Sequence, residues 1–118
     1  MSVLRRVDMF LAHPGKKEIM KRNLNEKLSY FIKADGSILP VMPDQDPTFN
    51  TRELHDFIGE KIELICYTSD GYALFRNQEG HSKGLPINET ATALLREEKG
   101  GNEVVAGNAL LAHPEHIT

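Results

Sequence analysis

Sixteen residues concentrate the polar groups able to do chemistry: Asn77-Gln78-Glu79-Gly80-His81-Ser82-Lys83-Gly84-Leu85-Pro86-Ile87-Asn88-Glu89-Thr90-Ala91-Thr92. A loop anchored at both ends by regular structure can aim such groups at a ligand. Amide, hydroxyl and ammonium donors from Asn77, Lys83, Asn88, Thr90 and Thr92 would suit an anion, as would the free amides at the start of the helix that follows. Arg5 and Arg6, with Lys16 and Lys17, are further cations that one chain or a neighbouring subunit could add. A second reading stands beside this one: Asn77 and Asn88 satisfy backbone groups in turns, and Thr90 caps a helix. The loop can do both.

Other chemistry has less support. Of five histidines (13, 55, 81, 113, 116), only His113 and His116 lie close, as His113-Pro114-Glu115-His116. A structural zinc needs four ligands on ordered elements. These residues follow the last strand and read as a solvent-exposed, frayed terminus, so no metal is expected. Cys66, the one cysteine, reads as a small inward-facing hydrophobe on a strand. Glycine-rich phosphate loops, nucleophile elbows and HExxH are absent from the sequence, so enzymatic turnover has no motif behind it and no cofactor is called for.

Charge narrows the partners. Residues 1–34 hold eight basic and three acidic side chains, while the remaining 84 hold six basic and fourteen acidic. The basic segment can face a phosphate, pair with the acidic body of a neighbouring subunit, or form a solvated helix face. The acidic remainder argues against extended nucleic-acid binding, which needs many neutralised phosphates. A length of 118 residues suits one domain, and no apolar run reaches the roughly 18 residues of a membrane span. Asp8 interrupts what would be the apolar core of a signal peptide, so none is expected.

The elements that must position these groups follow from periodicity. Val3, Leu4, Val7, Phe10 and Leu11 share one helical stripe, ended by His13-Pro14-Gly15; this amphipathic helix needs a partner surface and so suggests a homo-oligomer. Lys16 to Asn25 fits a short helix or a linker. Tyr30-Phe31-Ile32, the Asp35-Gly36 turn and Ile38 to Met42 read as a hairpin, with Pro40 placing its second arm at an edge or a bulge. Asn50 and Glu53 form a capping box with Phe49 and Leu54 as staple, predicting a helix over 51–58 closed by a left-handed Gly59. Ile62, Leu64 and Cys66 alternate onto one face of a strand that turns at Ser69-Asp70-Gly71 into a partner over 72–76. A helix capped by Asn88 or Thr90 buries Ala91, Leu94 and Leu95, and 104–111 reads as a central strand, apolar on both faces. The expected fold is α+β: a mostly antiparallel sheet of about five strands with two packed helices and an extra amino-terminal helix. Residues 1–27 form a basic helical extension and 28–118 the domain.

The stretch from 77 to 92 resembles a domain-of-unknown-function family of bacteriophages and plasmids. Its hallmark is Asn-x-Glu-Gly, a short basic gap, Gly-Leu-Pro-x-Asn and a following Ala-Thr. These are Asn77-Gln78-Glu79-Gly80, Lys83-Gly84-Leu85-Pro86-Ile87-Asn88 and Ala91-Thr92 here. Phe57-Ile58-Gly59 before the Ile62-Glu63 strand, and Val105-Ala106-Gly107-Asn108-Ala109-Leu110, also match. The likeness covers roughly residues 28 to 112; the basic amino-terminal helix departs from the family's short form. The resemblance implies a viral or mobile-element protein in the bacterial cytoplasm. It also implies a role against host defence: sequestering a small anionic nucleotide signal without turnover or, alternatively, binding a host protein as an inhibiting or recruiting module.

Overall fold

The computed structural model describes residues 5–6 and 16–117. Their sheet has six strands: β1 (Arg5–Arg6), β2 (Ser29–Ile32), β3 (Ile38–Met42), β4 (Ile62–Tyr67), β5 (Ala73–Asn77) and β6 (Ala109–Ala112). The spatial order is β1-β3-β2-β6-β5-β4, and every neighbouring pair is antiparallel. Three helices cover it: α1 (Lys16–Met20), α2 (Thr51–Ile58) and α3 (Glu89–Lys99). The fold is α+β.

Alternation along the strands makes two cores. Tyr30, Ile32, Ile38, Leu74 and Leu111 face Ala91, Leu94 and Leu95 of α3 and Ile19 of α1. Phe31, Leu39, Val41 and Leu110 face Phe57 and Ile58 of α2, with Phe49 beside them. Both faces of β6 are therefore covered, which is why Ala109-Leu110-Leu111-Ala112 carries no polar residue.

The Asn50 capping box forms as its spacing requires: Glu53 N donates to Asn50 Oδ1 at 2.8 Å and Asn50 N donates to Glu53 Oε1 at 3.0 Å. Gly59 closes the helix at φ 122°, ψ −175°. That is a glycine conformation, but an extended one rather than the expected left-handed turn.

Four expectations change. Arg5 and Arg6 are not helical but pair with Met42 and Val41 of β3; the open side of β3 offers backbone groups that a local stripe does not reveal. The other residues of the expected 3–11 helix lie outside the described residues, and the amino-terminal helix is α1. Second, the expected boundary at residue 27 is not a gap in packing. Ile19 is fully buried, and Arg22 bonds Asp70 at 2.7 Å with Glu98 at 3.7 Å. The basic segment thus meets acids of its own body.

Third, the last strand is shorter than 104–111. Gly107 turns at φ 90°, Val105 packs under α3, and Ala106 makes only an isolated bridge to Ile87. Fourth, a bulge at Ile65 shifts β4 so that Leu64 opposes Phe75 and Cys66 opposes Leu74. Ile62, Leu64 and Tyr67 consequently share the α2 face, while Cys66 turns to the α3 face instead of joining Ile62 and Leu64.

Candidate functional site

The loop between β5 and α3 acts first as a rivet. Asn88 is fully buried, and its Oδ1 accepts from Ala91 N at 3.0 Å, capping α3. Its Nδ2 donates to Ile32 O and Gly107 O, both at 2.9 Å. One side chain thereby fastens the end of β2, the approach to β6 and the start of α3. Asn77 repeats the arrangement: Nδ2 donates to Ile58 O at 3.2 Å and Oδ1 accepts from Glu79 N at 2.8 Å. Thr92 Oγ1 accepts from Val105 N at 2.9 Å. The glycines fit the same purpose. A Cβ on Gly80 would collide with the Ala106 carbonyl, and one on Gly107 would meet Leu85 Cδ1 at 2.8 Å.

What these bonds hold together is a shallow cleft of about 300 Å³, lined by Lys33, Ala34, Asp35, Ile58, Leu85, Pro86, Gly107 and Asn108. Lys33 directly follows the Ile32 carbonyl that Asn88 grips, and Asn108 directly follows the Gly107 carbonyl. Asn108 Oδ1 accepts from Ala34 N at 2.9 Å, which locks the β2–β3 turn against the opposite wall. That bond leaves the Asn108 amide hydrogens without a partner among the described residues. Lys33 makes no ion pair among them either. Asp35 accepts from the Ser37 hydroxyl and from Ser37 N at 2.9 Å, and these bonds, with the nearby Lys33 charge, lower its carboxyl below the usual range. Ile58, Leu85, Pro86 and Ala34 supply an apolar lining between the polar groups.

The sequence candidates are spread around this cleft rather than gathered in it. Asn77, Asn88 and Thr92 stand behind its walls with their side chains bonded to backbone. Thr90 is half-buried in the first turn of α3, and the cap is Asn88. Lys83 is exposed and pairs with Glu79 at 3.2 Å. Arg5 and Arg6 pair with Met42 and Val41, at the end of β3 remote from the turn. The polar groups that line the cleft, Lys33, Asp35 and Asn108, were visible only as a turn and as part of a strand. The usable signal was Asn108 directly after a glycine, where a strand residue has no need of an amide.

His113 and His116 are also placed differently from the exposed terminus expected. Both are buried. His113 Nδ1 accepts from Glu115 N at 3.0 Å, so its Nε2 carries the proton and donates to Leu24 O at 2.7 Å. Ser29 Oγ accepts from His113 N at 2.8 Å and lies 2.7 Å from His116 Nδ1. Burial, with His113 nearby, pushes the His116 imidazole down to about 4, so it is neutral at pH 7 and Nδ1 can accept the serine proton. This serine–histidine contact resembles an activated nucleophile, but Ser29 is fully buried and both of its bonds are structural. The described residues contain no group of three or more His, Cys, Asp or Glu able to hold a metal ion.

The model of a family described as a domain of unknown function, DUF3846, matches residues 32–117. The chain belongs to that family. The match starts at the residue whose carbonyl Asn88 holds and takes in the whole cleft, so the rivet and the walls it joins lie within the family's domain. The curated proteins and the solved structures contain no match to the chain. No helix among the described residues is long and apolar enough to cross a membrane.

Proposed function

We propose that this DUF3846 protein is a non-catalytic binding protein whose cleft captures a small anionic, nucleotide-type ligand. The observation that carries the reading is the division of labour around the signature loop. Its asparagines and Thr92 are committed to backbone, and they hold in place a cleft in which the Asn108 amide donates no hydrogen bond among the described residues and Lys33, though near Asp35, makes no direct ion pair among them. Lys33 suits a phosphate, and the apolar lining suits the face of a base. Asp35 and Asn108 offer an acceptor and a donor to a base edge. In a phage or mobile element, holding such a signal without destroying it would counter host defence.

The test is native mass spectrometry before and after exposure to a panel of mono-, di- and cyclic dinucleotides and to an extract of infected bacteria. The expected result is a discrete added mass of a nucleotide, released unchanged on denaturation. Lys33→Ala should weaken binding by about tenfold or more, as loss of a charged contact does, while Lys83→Ala leaves it unchanged. An unaltered mass with every probe, or binding indifferent to Lys33→Ala, overturns the reading and favours a host protein as the partner.

A further inference from the structure

The two edges of the sheet are built differently. At one, β3 carries Pro40 and is partly covered by Arg5–Arg6. The other is β4, Ile62-Glu63-Leu64-Ile65-Cys66-Tyr67, which has no proline or lysine and pairs only with β5 among the described residues. Its one charge, Glu63, is matched by Arg76 at 3.1 Å. Leu64 and Tyr67 are 40% and 62% exposed on this edge. Sheet edges are ordinarily blunted by charge, proline or cover.

We propose that β4 is the seam of a two-fold homodimer, joined by antiparallel pairing with β4 of a second copy. The register follows from the backbone. Lys61 O accepts from Gln78 N and Thr68 N donates to Tyr72 O, each at 2.8 Å, so both ends of the strand are turned toward β5. Alternation inward from each end turns the peptide groups of Ile62, Leu64 and Tyr67 outward. A bulge usually discourages edge pairing; here the extra residue at Ile65 is what makes the edge self-complementary. It puts Ile62 and Tyr67, five positions apart, on one face. With Leu64 on the dyad, Ile62 meets Tyr67 and Glu63 meets Cys66 of the second copy, and every pair shares a face. The three outward positions are those that must exchange hydrogen bonds in this register. Lys61, without an ion pair among the described residues, then lies opposite Thr68 of the second copy, two residues from its Asp70. A dyad normal to the sheet keeps both α2 helices on one side, and the exposed Leu64 and Tyr67 surfaces merge.

Light scattering coupled to size exclusion, from low to high micromolar protein, tests this. The wild type should be a dimer at the upper end. Leu64→Lys, which places two ammonium groups on the dyad, should raise the dissociation constant by about tenfold or more, with an unchanged melting temperature under monomeric conditions. In a Cys66→Ser background, Leu64→Cys should cross-link to a dimer with a short bismaleimide, while Gln45→Cys on an exposed loop should not. A wild type that stays monomeric throughout overturns the proposal. So does a dimer that Leu64→Lys leaves intact or a Leu64→Cys chain that cross-links no faster than the control.

Discussion

Asn88 is worth more to this protein than any surface group in its loop. Its loss uncaps α3 and removes a donor from two carbonyls, Ile32 O and Gly107 O. Asn88→Ala should therefore cost about 2–4 kcal/mol in denaturant unfolding, whereas half-buried Thr90→Ala should change stability by less than about 0.5 kcal/mol. Any loss of binding in Asn88→Ala follows from the cleft coming apart and is not evidence of contact. The sequence offers Asn88 or Thr90 as the cap, because capping is a local matter of spacing, and the structure selects Asn88. Its second task was illegible: the carbonyls it bridges lie 56 and 19 residues away. Lys33 and Asn108 escaped notice for the same reason, since only tertiary folding brings a hairpin turn against the segment before β6.

At the scale of elements, legibility tracks how local the determinants are. Helix α2 was readable because its cap, box and staple all fall within six residues, Phe49 to Leu54. The box reaches further than its motif: Glu53 Oε2 also accepts from Asp44 N at 2.7 Å, tying the preceding loop to the helix. Glu53→Ala should cost about 1–2 kcal/mol and raise amide exchange at Asp44 as well as Asn50, a pair that hydrogen-exchange mass spectrometry can follow. The bulge in β4 and the pairing of Arg5–Arg6 with β3 could not be read, because each depends on what a neighbouring strand offers. Gly80 marks the limit of backbone approach: Gly80→Ala sets a methyl group against the Ala106 carbonyl. It should separate the loop from the segment before β6 and lower the melting temperature by several degrees.

For the whole molecule, buried His116 makes stability depend on acidity. The His116 pKa is about 4 in the fold against an ordinary 6.5, so between these values the unfolded chain binds a proton that the native state does not. The His116 contribution is constant above about pH 6.5 and is lost as the pH drops toward 4, by up to roughly 3 kcal/mol. Urea titrations at pH 7, 5.5 and 4.5 should show this slope, and His116→Gln should flatten it. The same region fastens the basic segment to the body, through His113 to Leu24 and Lys27 to Glu115.

Strand β6 is the last strand in chain order among the described residues and stands in the middle of the sheet, between β2 and β5. During synthesis the β2–β3 and β4–β5 hairpins leave the ribosome as two separate half-sheets. Each carries an open apolar edge that only the final strand can close. The sheet cannot be completed until β6 emerges, and the nascent chain depends on a late, long-range insertion of the kind that is slow and prone to mispairing. Stalled chains lacking Ala109 to Ala112 should remain protease-sensitive throughout, and release of the next few residues should protect both hairpins together.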